Sequence, residues 1–264
     1  MYDMRTVAPT VCKVLGIRAP SSADSPSLLQ ACKTLGSTDK LAVIVIDAFG
    51  MSTWKKAKNL TPTLNRLEAV HGTIIHSVMK SVTPVNFATM LTGASSETHG
   101  ITDRTMPLRH ETIFYVLREA GLKSATAARA LSSLGILISP HADNPGIAES
   151  NKDTEVAEKA ISRLMSGNNL VWVHLLDVDD AGHGYGPLSE ESMDAIARAD
   201  ANLRTILDTA GDIGYSVIVL ADHGQHDSDD ANYKGNHGTD KPEDIEVPFL
   251  WANNAELRDI LGKQ

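Results

Sequence analysis

Six consecutive apolar residues, Leu41–Ile46, form the longest purely apolar stretch of the chain and stop abruptly at Asp47. A run that short and uniform predicts a strand buried on both faces. Downstream the pattern alternates. Thr61 followed by Pro62 reads as an N-cap with a first-position proline, opening a helix towards His71. Thr73–Val78 reads as a strand and Pro84–Leu91 as a helix. Ile113–Ala120 reads as a helix closed by Gly121, and Ser124–Ala128 as a short strand. A helix over Thr154–Met165 and a strand over Leu170–Leu176 follow. A long helix over Glu190–Ala210, closed by Gly211, precedes strands at Tyr215–Ala221 and Val247–Trp251. Strands separated by helices predict an α/β fold with a mostly parallel central sheet flanked by helices, in one domain over residues 1–264. Ligands of such sheets bind beyond the carboxyl ends of the strands. Residues 1–40 read as a helical annex: Pro9 suits a first helical turn, Val11, Val14 and Leu15 share one face, and Ser21–Ser27 is a polar turn. Cys12–Gly16 and Cys32–Gly36 echo each other once, too little for a repeat architecture.

Composition narrows the function classes. With 24 basic and 33 acidic residues the net charge is −9, and aromatics are only 5%. That balance opposes binding of a nucleic-acid polymer, which needs basic patches or stacking platforms. Cys12 and Cys32 cannot build a disulfide framework or a four-thiolate zinc site. No secretory pattern is evident over Met1–Arg18 and no apolar run is long enough to span a bilayer, so the expectation is a cytoplasmic protein without membrane contact.

Polar residues accumulate where the apolar strands end. Asp47 follows the first. Asp177-Val178-Asp179-Asp180 and Gly182-His183-Gly184 follow Leu170–Leu176. Asp222-His223-Gly224 follows Tyr215–Ala221, and Gly235-Asn236-His237-Gly238 lies in the next loop. One such Asp is usually a turn former. Acids and imidazoles at the ends of three strands point instead to a metal site. Mixed carboxylate and imidazole donors suit zinc, manganese or iron. Asp47, Asp179 and Asp222 bring −3, and His183, His223 and His237 are neutral, so two divalent ions leave a residual +1 that attracts phosphate. Thr83, just before Pro84, sits where a helix N-terminus favours anions. Spacing alone makes it a cap worth about 1 kcal/mol. Asn86, one turn on, is placed to donate to a phosphoryl oxygen. His99 reads as structural, His174 as a satisfied core residue and His226 as a solvated loop residue. Asp177 and Asp180 read equally as groups orienting a ligand or as turn formers.

Several of these pieces together resemble the alkaline phosphatase superfamily, in particular its type I phosphodiesterase/nucleotide pyrophosphatase branch. They are Ile46–Gly50, Thr83-Pro84-Val85-Asn86 with Thr92-Gly93, Glu97–Ile101, Asp179–His183 with Gly186-Pro187, Asp222–Gly224 and Gly235–Gly238, in the family's order. The resemblance implies that Asp179, His183 and His237 hold one metal, and that Asp47, Asp222 and His223 hold a second, which also binds the nucleophile Thr83. It implies Asn86 as donor to the phosphoryl group and a phospho-threonine that water hydrolyses. Two zinc ions are the implied cofactors, with manganese as the other candidate, and a small phosphorylated compound is the implied substrate. The expected activity is that of a phosphodiesterase or nucleotide pyrophosphatase. The alternatives are a phosphomonoesterase or phosphomutase on the same core, or a silent metal- or phosphate-binding module. No cysteine lies near Thr83, so the resemblance does not extend to sulfatases. Residues 101–168 leave room for a small lid. Val7–Val11 with Leu15-Gly16-Ile17 resembles a segment that the family carries after its last metal-binding histidine, which suggests a circular permutation.

Overall fold

The structure is a computed structural model describing residues 2–263. Its strands, in chain order, are β1 Leu41–Ile46, β2 Gly72–His76, β3 Ser124–Arg129, β4 Asn144–Ala148, β5 Leu170–Leu175, β6 Ser216–Leu220, β7 His226–Asp227, β8 Gly235–Asn236 and β9 Glu246–Ala252. Its helices are α1 Val7–Val14, α2 Leu29–Leu35, α3 Met51–Ala57, α4 Pro62–Val70, α5 Thr83–Thr92, α6 Ser96–His99, α7 Ile113–Glu119, α8 Asp153–Met165, α9 Asp177–Tyr185, α10 Glu190–Asp212, α11 Pro242–Ile245 and α12 Asn254–Leu261. The α/β expectation holds. The main sheet has the order β2-β9-β6-β1-β5-β3-β4, and β7 pairs with β8 in a small separate hairpin.

Strand β1 lies mid-sheet, parallel to β5 on one side and β6 on the other. All six of its residues are buried, as are those of β5 and β6, which is why these segments read as unbroken apolar runs. The parallel register sets Ile46 beside Leu175 and Val45 beside both His174 and Leu220. Residues that follow the three strands therefore emerge on one edge. Strand β9 departs from the parallel pattern, running antiparallel to β6 and to β2. The chain stays at the carboxyl edge through the β7–β8 hairpin and α11, so the next strand must run back down the sheet.

Residues 101–168 contribute α7, β3, β4 and α8 to the sheet and its flanking helices. Strand β3 pairs with β5, β4 pairs with β3, and α8 packs on all three strands. The annex consists of a 3-10 turn at Met4–Thr6, then α1 and α2. Helix α1 packs on α2 and α5, and α2 packs on β9. Asn253 Nδ2 donates to the Thr34 carbonyl at 3.2 Å, so through α2 the annex abuts the segment after Trp251. Helix α5 ends at Gly93, whose φ of +70° and near contact with Ala23 leave no room for a side chain. Among the described residues no helix is long and apolar enough to cross a membrane.

Candidate metal centre at the carboxyl edge of the sheet

The strand ends converge as the parallel register requires. Asp47 leaves β1, Asp222 and His223 follow β6, and α9 follows β5. Helix α9 carries Asp179 and His183 one turn apart, with Asp179 Oδ1 3.3 Å from His183 Nε2. His237, just past β8, brings its Nε2 to 3.1 Å from His183 Nε2 and 3.6 Å from Asp179 Oδ1. These three form one triad. In the second, His223 Nε2 lies 3.5 Å from Asp47 Oδ1 and 3.4 Å from Asp222 Oδ2. Within each triad the donor atoms lie inside 4.8 Å of one another. The His223 and His237 rings stack with centroids 3.9 Å apart, so the triads adjoin. Thr83 opens α5 and places Oγ1 3.1 Å from His223 Nε2. Gly224 and Gly50 allow the loops after β6 and β1 to touch: a Cβ on Gly224 would stand 2.0 Å from the Glu243 carbonyl oxygen and 2.8 Å from Gly50 Cα.

The tautomers show what this cluster is shaped to hold. His183, His223 and His237 each donate through Nδ1 to a backbone carbonyl, of Gly235 at 2.9 Å, Gly224 at 3.1 Å and Ser81 at 3.1 Å. Each Nε2 is then a bare lone pair facing the site, so Thr83 Oγ–H is the donor to His223. Asp47 Oδ1 and Asp222 Oδ2 are buried without a hydrogen-bond partner. Orphaned carboxylate oxygens and converging imidazole lone pairs are the donor set of divalent cations that accept nitrogen and oxygen ligands. Without cations the cluster is strained electrostatically. Burial, reinforced by Asp222, pushes Asp47 upward, and burial raises Asp179 and Asp222 to about 7. Burial lowers His223 to about 4 and His237 to about 2.

These shifts give the metal-free protein a characteristic pH response. The raised carboxylates bind protons in the folded state that the unfolded chain lacks, so stability grows as pH falls from about 8 through 7. Below 6.5 the histidines oppose further gain, because the unfolded chain protonates them and the folded state does not. In excess chelator the melting temperature is therefore expected to rise from about pH 8 to about 6.5 and then level or fall. A melting temperature that falls across the first interval contradicts the buried-carboxylate reading.

Seven of the residues expected from sequence thus meet: Asp47, Thr83, Asp179, His183, Asp222, His223 and His237. Asn86 does not. It is fully buried, its Oδ1 accepts from Val78 N–H at 2.9 Å, and its Nδ2 faces the carbonyls of Val78, Lys80 and Val82 at 3.3–3.4 Å. Its amide ties residues 78–82 to α5. Asn86→Ala is expected to cost about 2 kcal/mol of stability, read by urea denaturation, because it leaves buried backbone groups unpaired.

Three more residues have roles that their sequence context concealed. His174 donates from Nε2 to Asp47 Oδ2 at 2.7 Å and so orients a candidate ligand, though it read as core. Gln225 donates from Nε2 to Asp179 Oδ1 at 2.6 Å. His226 read as a solvated loop residue, but its Nδ1 lies 2.7 Å from Oδ1 of the buried Asp244. That carboxylate also accepts from Thr239 and so steadies the loop carrying His237. His99 donates from Nε2 to Thr89 Oγ1 at 2.9 Å and fastens α6 to α5.

GPI ethanolamine phosphate transferase 1 of Emericella nidulans is 32% identical over 111 residues, which cover 40% of this chain and 11% of that protein. The chain thus spans about a tenth of the length of that curated relative. Among solved structures, murine ectonucleotide pyrophosphatase/phosphodiesterase 5, as an inactive threonine-to-alanine variant in complex with AMP, matches with a TM-score of 0.66 at 15% identity. The match covers 86% of this chain and 96% of that one. The C-terminal periplasmic domain of EptC from Escherichia coli, as a complex with Zn, matches with a TM-score of 0.59 at 15% identity over 91% of this chain and 76% of that one. These two likenesses concern the fold, an α/β core with a mostly parallel sheet. Residues 41–258 match the family of type I phosphodiesterases and nucleotide pyrophosphatases, from β1 to within α12, and so take in every residue of both triads and Thr83. The chain belongs to the type I phosphodiesterase/nucleotide pyrophosphatase family.

Proposed function

We propose that the protein is a metal-dependent phosphoric ester hydrolase of the phosphodiesterase or nucleotide pyrophosphatase type, acting on a small phosphorylated compound through Thr83. The observation that carries this reading is the Thr83 hydroxyl, held at the head of α5 and 3.1 Å from His223 Nε2, beside three carboxylates and three imidazole lone pairs. Two divalent cations, zinc or alternatively manganese, would lower the pKa of the threonine and offset charge on the phosphoryl oxygens when held by Asp179, His183 and His237 and by Asp47, Asp222 and His223. That EptC was solved with Zn supports zinc as the first metal to try.

The chain's own residues set the geometry of attack. The first turn of α5 offers unpaired N–H groups and a positive dipole end to an anionic phosphoryl group. Thr83 Oγ loses its proton and forms the new P–O bond, and the ester oxygen leaves with its electron pair as an alcohol or phosphate. Water then cleaves the phospho-threonine and restores the hydroxyl. The threonine-to-alanine variant of the murine relative, described as inactive and bound to AMP, is consistent with that assignment.

The assay is hydrolysis of a chromogenic diester, bis(4-nitrophenyl) phosphate, and of the matching monoester, with zinc, manganese or chelator. Zinc-dependent cleavage with the diester favoured is the expected result. Monoester preference would move the reading to a phosphomonoesterase, and cleavage of neither would leave a silent binding module. The 32% identity to a phosphoethanolamine-transferring enzyme supports a second reading, in which an alcohol replaces water in the second step. Ethanolamine or glycerol added to the assay would then appear as a new phosphoester at the expense of released product.

A further inference from the structure

Helix α9 carries two of the six candidate ligands, and its first turn is clamped from below by a charged cluster outside the metal centre. Arg129, the last residue of β3, is 4% exposed. Its Nε and Nη2 donate to Asp153 Oδ1 at 3.1 and 2.7 Å, and its Nη1 donates to Asp180 Oδ2 at 2.6 Å. Nη2 also donates to Asp177 Oδ1. Asp153, fully buried at the start of α8, accepts the Asp177 backbone N–H on its other oxygen at 2.7 Å. One planar fork thus spans three carboxylates on two helices, a geometry that a lysine ammonium cannot reproduce. Desolvating an arginine and a carboxylate together is costly, and an apolar packing would serve stability as well or better.

Placement explains why such a cluster would be kept. Asp177 and Asp180 flank Asp179, and His183 follows one turn later. The clamp holds the side chains on either side of the ligand and the backbone N–H at which the helix begins. A rotation of α9 about its own axis, or a start displaced by one residue, would carry Asp179 and His183 away from His237 together. Among the described residues no hydrogen bond or ion pair joins this cluster to Asp47, Asp222 or His223, which hang from β1 and β6.

We propose that Arg129, together with Asp153, is a positioning residue that sets the rotation and start of α9 and thereby the affinity of the Asp179–His183–His237 triad for its cation, leaving the second triad unaffected. The inference rests on the metal reading above.

The test is calorimetric titration of zinc into metal-stripped protein. The wild-type chain is expected to show two binding steps, and His183→Ala identifies the step belonging to the first triad. Arg129→Lys, which keeps the charge and loses the fork, is expected to weaken that step about 10-fold or more and to leave the other unchanged. Asp180→Asn removes one arm of the clamp at a solvent-facing carboxylate, so folding is not at stake, and is expected to shift the same step by about 3-fold. Asp200→Asn is the control. Asp200 accepts the backbone N–H groups of Thr63 and Leu64 at 3.0 and 2.9 Å, so this change uncaps α4 and should lower the melting temperature without moving either step. Unchanged zinc steps in both Arg129→Lys and Asp180→Asn would overturn the proposal. So would equal weakening of both steps, which would mark a general loosening. If Arg129→Lys fails to fold, Asp180→Asn decides alone. A wild-type chain that takes up no zinc would overturn the metal reading and this proposal with it, and is distinguished by that first titration.

Discussion

Thr83→Ala is expected to lower turnover of a chromogenic phosphodiester by about 10⁴-fold or more while the protein still binds two divalent ions. The side chain contributes little else. It makes no capping bond at the head of α5, where Val82 is the N-cap, and among the described residues its hydroxyl bonds only His223. Removing it deletes the oxygen that attacks phosphorus and leaves Asp47, Asp222 and His223 in place. Activity and zinc content measured on the same preparation separate loss of the nucleophile from loss of the site. Turnover retained within about 10-fold would transfer the attack to water and remove Thr83 from its role.

Removal of metal is expected to have the second-largest effect. A chelator should abolish turnover and lower the melting temperature by ~10 °C, with zinc restoring both. Each ion bound at a thousandfold excess over its dissociation constant stabilises the fold by about 4 kcal/mol through mass action. The stripped protein must also bury Asp47, Asp179 and Asp222 close together with no counter-charge, as their raised pKa values record. Unchanged melting and activity in chelator would contradict a cation between those carboxylates.

The parts of this architecture that were legible in the sequence share one physical cause. Strands β1, β5 and β6 are buried on both faces, so their apolar runs were continuous and the acids at their ends stood out. Strand β4 was not legible: Asn144-Pro145-Gly146 begins an edge strand that is half exposed, where proline and glycine are tolerated but blur the pattern. Helix α9 was hidden because Asp177–Gly184 has the composition of a turn, and Arg129 and Asp153, which bond its first turn, are remote in sequence. Asn86 carried the right chemistry at the right spacing but faces residues 78–82, a direction that spacing does not encode. His174 read as core because its partner Asp47 lies on the neighbouring strand, and only the β1–β5 register brings the two together. The direction of β9 was likewise decided by where the preceding loop leaves the chain.

Diffraction from zinc-loaded crystals, recorded at the zinc absorption edge, tests the central claim most directly. Two anomalous peaks are expected about 4 Å apart, one enclosed by Asp179, His183 and His237, and the other by Asp47, Asp222 and His223 with the Thr83 hydroxyl beside it. Peaks elsewhere on the molecule, or none at either triad, would contradict the account.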